Sequence, residues 1–265
     1  MNMSFWTGAV GADNFTKRLA VTSNNLANIN TTGFKAKNAP FRELINYNLN
    51  DSREAVTELQ AGAGAVVHQT NTNFNVSSVN VTNQNSDFAL MDNNTFFMLQ
   101  DPGDNSISYT RNGHFHFGEM QDGEFYLMTE SGKYVLDQNG EKLKADVIDL
   151  QTLYESSETN DDSSTSTEET TETTEKPTIG VYTFPHPSRL LSRGDNEFVV
   201  QEGDTQNVAA VVQNPHVQKG VLESSSTDLA KEMTKIIESQ RAFSYALRVV
   251  TTSDEIESTI NGLRG

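Results

Sequence analysis

Apolar residues repeat with one period at both ends of this chain and with another in its middle, and that switch limits the folds open to it. Near the C-terminus Leu229, Met233, Ile236, Gln240, Phe243, Leu247 and Val250 step by four and three, a heptad seam interrupted only at Gln240. The seam then shifts phase and continues through Val249, Ile256, Ile260 and Leu263. Asp228 or Thr227 is placed to cap such a helix, and acids in its first turn suit the helix dipole. At the other end Phe5, Ala9, Ala12, Phe15, Leu19, Thr22, Leu26 and Ile29 form a second helical stripe. It should stop near Asn30-Thr31-Thr32-Gly33, where glycine admits a left-handed turn. A helical stripe needs something to pack against, and each of these two most simply finds the other.

Between them the period falls to two. Short apolar runs begin at Phe74 and Val79, and more follow at residues 88–91, 95–99, 107–110, 115–117, 125–128 and 134–136. Turn pairs separate them, among them Asn112-Gly113, Ser131-Gly132 and Asn139-Gly140. The pattern resumes at residues 179–184, 197–200 and 208–212. This spacing predicts an all-β meander or sandwich. The fold class is therefore α+β: a coiled-coil-like layer of terminal helices and a central all-β domain. The expected boundaries are a helix over 1–32, an irregular connection over 33–72, the β domain over 73–220 and a helix over 221–265.

Charge narrows the function. The chain of 265 residues carries a net charge of −17, and residues 155–175 hold eight of its 36 acids, twelve serines and threonines, no base and no apolar side chain. Such a tract cannot bury enough surface to order itself, so a solvated acidic insertion is expected there. With no basic patch elsewhere, nucleic acid is not an expected partner. Nor is membrane insertion, since no run approaches the length of a bilayer-spanning helix. The first ten residues lack a basic stretch followed by an apolar core, so no cleavable signal peptide is expected. Zero cysteines remove thiol catalysis and thiolate metal sites.

A search for chemistry finds little. His114 and His116 lie two apart on one strand face, but no third metal ligand accompanies them. The carboxylates Asp101 and Asp104, or Asp122 and Glu124, sit in turn sequences where acids are common for turn reasons. No nucleophile elbow or phosphate loop is present. No enzyme activity, catalytic residue, metal or cofactor is expected.

A resemblance fills the gap. Residues 19–35, with Asn24-Asn25, Asn28 and Asn30-Thr31-Thr32-Gly33-Phe34-Lys35, are similar to the N-terminal signature of bacterial flagellar rod and hook proteins. Phe96-Phe97 followed by Tyr109-Thr-Arg-Asn-Gly-His-Phe115 resembles the family's central β segment. Gly220-Val-Leu-Glu223, Gln240-Arg241-Ala242-Phe243 and Thr252-Ser-Asp-Glu255 resemble its C-terminal signature.

The chain length fits a rod protein, distal or proximal, better than a hook protein. The resemblance implies a structural subunit of the basal-body rod, exported by the flagellar type III apparatus and self-associating through its terminal helices into a tube that transmits torque. Its partners would be copies of itself and other rod and hook proteins. A hook or hook-associated subunit is the alternative, and an extracytoplasmic peptidoglycan-active enzyme the second. The expected assembly interface comprises Phe15, Leu19, Asn24, Asn25, Leu26, Asn28, Thr32, Gly33 and Phe34 at one end. At the other it comprises Met233, Ile236, Gln240, Arg241, Phe243, Leu247 and Asp254.

Overall fold

Helical periodicity at the chain ends becomes two long helices in the computed structural model, which describes residues 3–48, 60–120, 123–144 and 179–263. The acidic tract and Asp122 lie outside the described residues. The chain divides into two units.

The first unit draws on Met1–Asn30, Lys35–Asn73 and Ser226–Gly265. Helix α1 spans Met3–Ala27 and helix α2 spans Leu229–Leu263 without interruption. The Asp228 carboxylate caps α2, accepting the amides of Ala230 and Lys231 at 3.0 and 3.2 Å. The helices run antiparallel: Ser4 meets Ser253, Arg18 meets Glu238 and Asn25 meets Glu232.

Three two-stranded antiparallel ribbons accompany them. They pair β1 (Lys37–Asn38) with β6 (Asn71–Thr72), β2 (Phe41–Glu43) with β5 (Ala65–Val67), and β3 (Asn46–Asn48) with β4 (Gln60–Gly62). The segment 33–72, irregular by its sequence pattern, is thus a stack of nested hairpin ladders. Pairs this short lack the alternation that marks longer strands, so periodicity does not reveal them.

The second unit is built from Thr31–Phe34 and Phe74–Ser225. Its strands are β7 (Val79–Val81), β8 (Phe88–Leu90), β9 (Thr95–Gln100), β10 (Ile107–Thr110), β11 (Phe115–Glu119), β12 (Phe125–Thr129), β13 (Tyr134–Val135), β14 (Val181–Thr183), β15 (Leu191–Gly194), β16 (Glu197–Val199), β17 (Ala210–Val211), β18 (Val217–Lys219) and β19 (Val221–Glu223). Nine of them form one antiparallel sheet ordered β11-β12-β13-β9-β10-β16-β15, with β14 pairing both β9 and β17.

Strand β9 explains the core. Phe97 and Leu99 enter one cluster with Phe88, Phe115, Leu127 and Val181, while Phe96 and Met98 enter another with Phe74, Tyr109, Tyr182 and Phe198. Both faces of β9 are buried, which is why its sequence reads as a nearly unbroken apolar run.

Two helix boundaries differ from expectation. Helix α1 ends at Ala27, and Thr31–Phe34 joins the β-rich unit. Residues 221–228 are not helical: Val221–Glu223 pairs with Val79–Val81 as a ribbon. Glu223 is pinned there by a buried arginine, an interaction between residues far apart in the chain that no local pattern encodes.

Candidate assembly surfaces

The two helices meet along a line of small side chains. A methyl group added at Gly8 would lie 3.0 Å from Val250 Cγ2 and 3.2 Å from the Ala246 carbonyl oxygen, so the backbones approach closely there. Opposite Gly8 and Gly11 helix α2 presents Ala246, which stands one heptad from Ser239 on one side and from Ser253, the partner of Ser4, on the other, with Glu232 a heptad before Ser239. Glu232, Ser239 and Ser253 are buried and Ala246 half-buried.

That line corrects the seam read from sequence. Ile236, Phe243 and Val250 flank the contact half-buried, whereas Leu229, Met233, Gln240 and Leu247 fall on an exposed face. The reason is geometric: helices this close leave no room for leucine or methionine between them, so small residues take the centre and large ones stand aside. Met233 is 52% exposed and Leu247 43%. Arg241 and Asp254 are exposed as well.

The heptad line does not stop where α1 does. Helix α2 continues from Ser253, level with Ser4, to Leu263, about 15 Å at helical rise. Ile256, Ile260 and Leu263 occupy this extension and are 49%, 58% and 84% exposed.

On α1, Phe15 packs its ring 5.2 Å from that of Phe41, whose face also receives the Arg18 guanidinium. Leu19 and Leu26 are half-buried and Asn24 is exposed. The Asn28 side-chain amide donates to the Asn24 carbonyl at 2.9 Å, closing the last turn. Asn25 is buried and fully engaged within the chain. Its Nδ2 donates to the Lys37 carbonyl at 2.7 Å and to Glu232 Oε2 at 3.1 Å, and its Oδ1 accepts the Lys37 amide at 2.9 Å. Lys235 Nζ pairs with the other Glu232 oxygen at 2.6 Å. Asn25 is thus the clamp joining α1, β1 and α2, and its side chain is not exposed for a neighbour.

Thr32, Gly33 and Phe34 belong to the β-rich unit. Gly33 has φ +67°, and its amide donates to the Glu223 carbonyl at 2.8 Å. A Cβ there would sit 2.7 Å from the Arg111 carbonyl oxygen. The Thr32 carbonyl accepts Asn196 Nδ2 at 2.9 Å, and Phe34 is buried. Sequence reasoning missed Arg111 and Glu223, both fully buried, although each stands inside a signature segment. Arg111 Nε donates to Glu223 Oε2 at 3.0 Å, while its terminal nitrogens reach the carbonyls of Asp92, Thr95 and Leu90.

Several of the groups weighed for chemistry have structural partners. His114 Nδ1 lies 2.8 Å from buried Asp87, and His116 is exposed. Asp101 and Asp104 each accept an amide of their own turn, from Gly103 and Ser106. Hydrogen bonds from the Ser106 hydroxyl and amide hold the Asp104 carboxyl below its usual range, the wrong direction for a general acid. Among the described residues no three His, Cys, Asp or Glu are grouped to hold a metal ion, and no helix is long and apolar enough to cross a membrane.

Comparison with known proteins agrees with the terminal signatures. Residues 7–35 match the family model described as flagella basal body rod protein, and residues 218–263 match that of the flagellar basal body rod FlgEFG protein C-terminal region. The chain is 29% identical to the flagellar basal-body rod protein FlgG of Bacillus subtilis, across all of both chains. It is 27% identical to the flagellar hook-basal body complex protein FlhP of the same organism, again across all of both. Its similarity to the flagellar hook protein FlgE of Helicobacter mustelae, at 30% identity, covers 55% of this chain and 34% of that one. With both terminal regions matched and relatives aligned from end to end at 27–29% identity, the chain is similar to flagellar basal-body rod and hook proteins along its length.

Proposed function

We propose that this chain is a structural subunit of the flagellar basal-body rod, polymerising through its terminal helices into a helical tube that transmits torque, without catalysis. The observation that carries the reading is the extension of α2 beyond α1, whose apolar side chains are exposed among the described residues. Ile256, Ile260 and Leu263 continue the line that α1 covers up to Ser253, and they are larger than the residues within the pair. Covering their exposed area contributes on the order of 3–6 kcal/mol per contact. A second exposed strip, Leu229, Met233 and Leu247 with Gln240, stands on another face of the same helix. Two distinct strips on one subunit suit a heterologous contact, which propagates into a filament where a two-fold contact would close.

Full-length similarity to a rod protein, against partial similarity to a hook protein, favours the rod over the hook. Within the proposed interface the exposed residues Asn24, Met233, Gln240, Arg241, Leu247 and Asp254 are the intersubunit candidates. Asn25, Gly33 and Phe34 are engaged each within its own unit. Export through the flagellar type III apparatus and contact with other rod and hook proteins follow from the same reading.

The test is Ile260→Asp. The reading expects wild-type secondary structure and thermal stability in the purified chain, with loss of the subunit from isolated hook–basal bodies. Normal incorporation of Ile260→Asp would refute the docking role of the extension.

A further inference from the structure

The chain passes between its two units at four points, and the segments that enter the β-rich unit are Thr31–Phe34, the stretch beginning at Phe74 and the stretch ending at Ser225. All three are tied to one side chain and its backbone. The Glu223 carbonyl accepts the Gly33 amide at 2.8 Å, fixing the first segment. Glu223 Oε1 accepts the Ser77 amide at 2.8 Å, fixing the second. Glu223 itself lies two residues before Ser225, in the third. Ser77 Oγ donates to the Ser225 carbonyl and the Ser224 amide to the Ser78 carbonyl, so the second and third segments also hold each other. The remaining carboxylate oxygen, Oε2, meets Arg111, whose guanidinium is bonded to three carbonyls of the β-rich unit, those of Leu90, Asp92 and Thr95. Both charged side chains are fully buried.

We infer that Glu223, seated on Arg111, is a mechanical coupling point of the subunit: load that the chain brings to the β-rich unit through these three segments is borne at this residue, beside the separate Asn196–Thr32 bond. The inference rests on the reading of the chain as a torque-transmitting subunit. Its physical basis is the concentration of these connections on one residue, the Gly33 bond at its backbone carbonyl and the Ser77 and Arg111 bonds at its carboxylate. A hydrogen-bonded tie resists separation by the bonds that must break together, and charge-assisted bonds are roughly twice as strong as neutral ones. A buried pair of this kind adds little net stability compared with an apolar packing of the same volume. What it adds here is a common anchor for three chain segments that sequence separates by up to about 190 residues.

The geometry can be loaded directly. Tension applied at the two chain ends reaches the β-rich unit at Thr31 and Ser225, the first and last residues of its chain. The experiment is constant-force stretching of the full chain, comparing wild type, Glu223→Gln and a control, Asp137→Asn. Asp137 is an equally buried carboxylate of the same unit that accepts the amides of Asn139 and Glu141 in a turn remote in sequence from the three segments. Glu223→Gln should make rupture of the β-rich unit at least about tenfold faster at a given force, with the released length unchanged. Asp137→Asn should lower the melting temperature while leaving that rupture rate near wild type. Equal acceleration by both variants, or none by Glu223→Gln, would overturn the inference.

If Glu223→Gln does not fold, hydrogen exchange of the wild-type chain decides. The Gly33 and Ser77 amides should exchange in the slowest class with β9, and fast exchange at either would overturn the proposal. Failure of the wild-type chain to appear in hook–basal bodies would refute the assembly reading without bearing on the stretching result.

Discussion

Replacing Asn25 with alanine should cost the helical unit much of its stability, although the residue is a single polar side chain in the last turn of a helix. The structure gives the magnitude. Asn25→Ala removes two hydrogen bonds to the Lys37 backbone and one to the buried Glu232 carboxylate. Neutral bonds contribute about 1 kcal/mol each and a bond to a charged group about 1.5–3 kcal/mol, and Glu232 stays buried with one donor fewer. The expected loss is about 3–5 kcal/mol, a large share of the stability of a unit this size.

Asn25→Asp should cost more. It keeps the acceptor for the Lys37 amide but loses both donors and sets a second carboxylate beside Glu232, with Lys235 to balance them. Urea unfolding followed by helical circular dichroism measures both changes. The midpoint of the helical transition should fall in the order wild type, alanine, aspartate, with the slope unchanged. A loss below about 0.5 kcal/mol for Asn25→Ala, the range of an ordinary surface change, would show that the clamp does not hold the helices together.

Other outcomes follow from the same structure. Gly33→Ala should destabilise the β-rich unit by at least about 1–2 kcal/mol in denaturant titration, because alanine pays for φ +67° and its methyl meets the Arg111 and Asn112 backbone at 2.7 Å. Burial, with a smaller contribution from Tyr182, pushes the Tyr109 hydroxyl above its ordinary pKa of 10.0. The unfolded chain therefore loses that proton first, so stability should fall as pH rises through about 10 towards the folded value. Tyr109→Phe should flatten that part of the pH–stability curve, and an unchanged slope would refute the assignment. Leu247→Asp, on the exposed face of α2, should leave the melting temperature within about 1 °C of wild type. It should nonetheless lower incorporation into basal bodies, and a collapse of the fold would mean that this face is internal.

The sequence by itself determined the class of the fold, the two helices, most strands of the β-rich unit and the likeness to flagellar rod and hook proteins. Each is carried by local pattern: a period of three to four at the ends, a period of two between turn residues, and short signature segments. Tertiary structure alone decided which side of α2 meets α1. A heptad fixes the angle at which residues lie, but the separation of two helices depends on what the facing helix presents, and Gly8 brings them near enough that serine and alanine displace leucine from the centre. It also decided the fate of the polar signature residues. Asn25 and Gly33 read from sequence as interface groups, yet each is engaged within its own unit, because Lys37, Glu232, Arg111 and Glu223 come to them from segments up to about 200 residues away. Periodicity is local and angular; a buried hydrogen bond is a fact about which distant segments share one place.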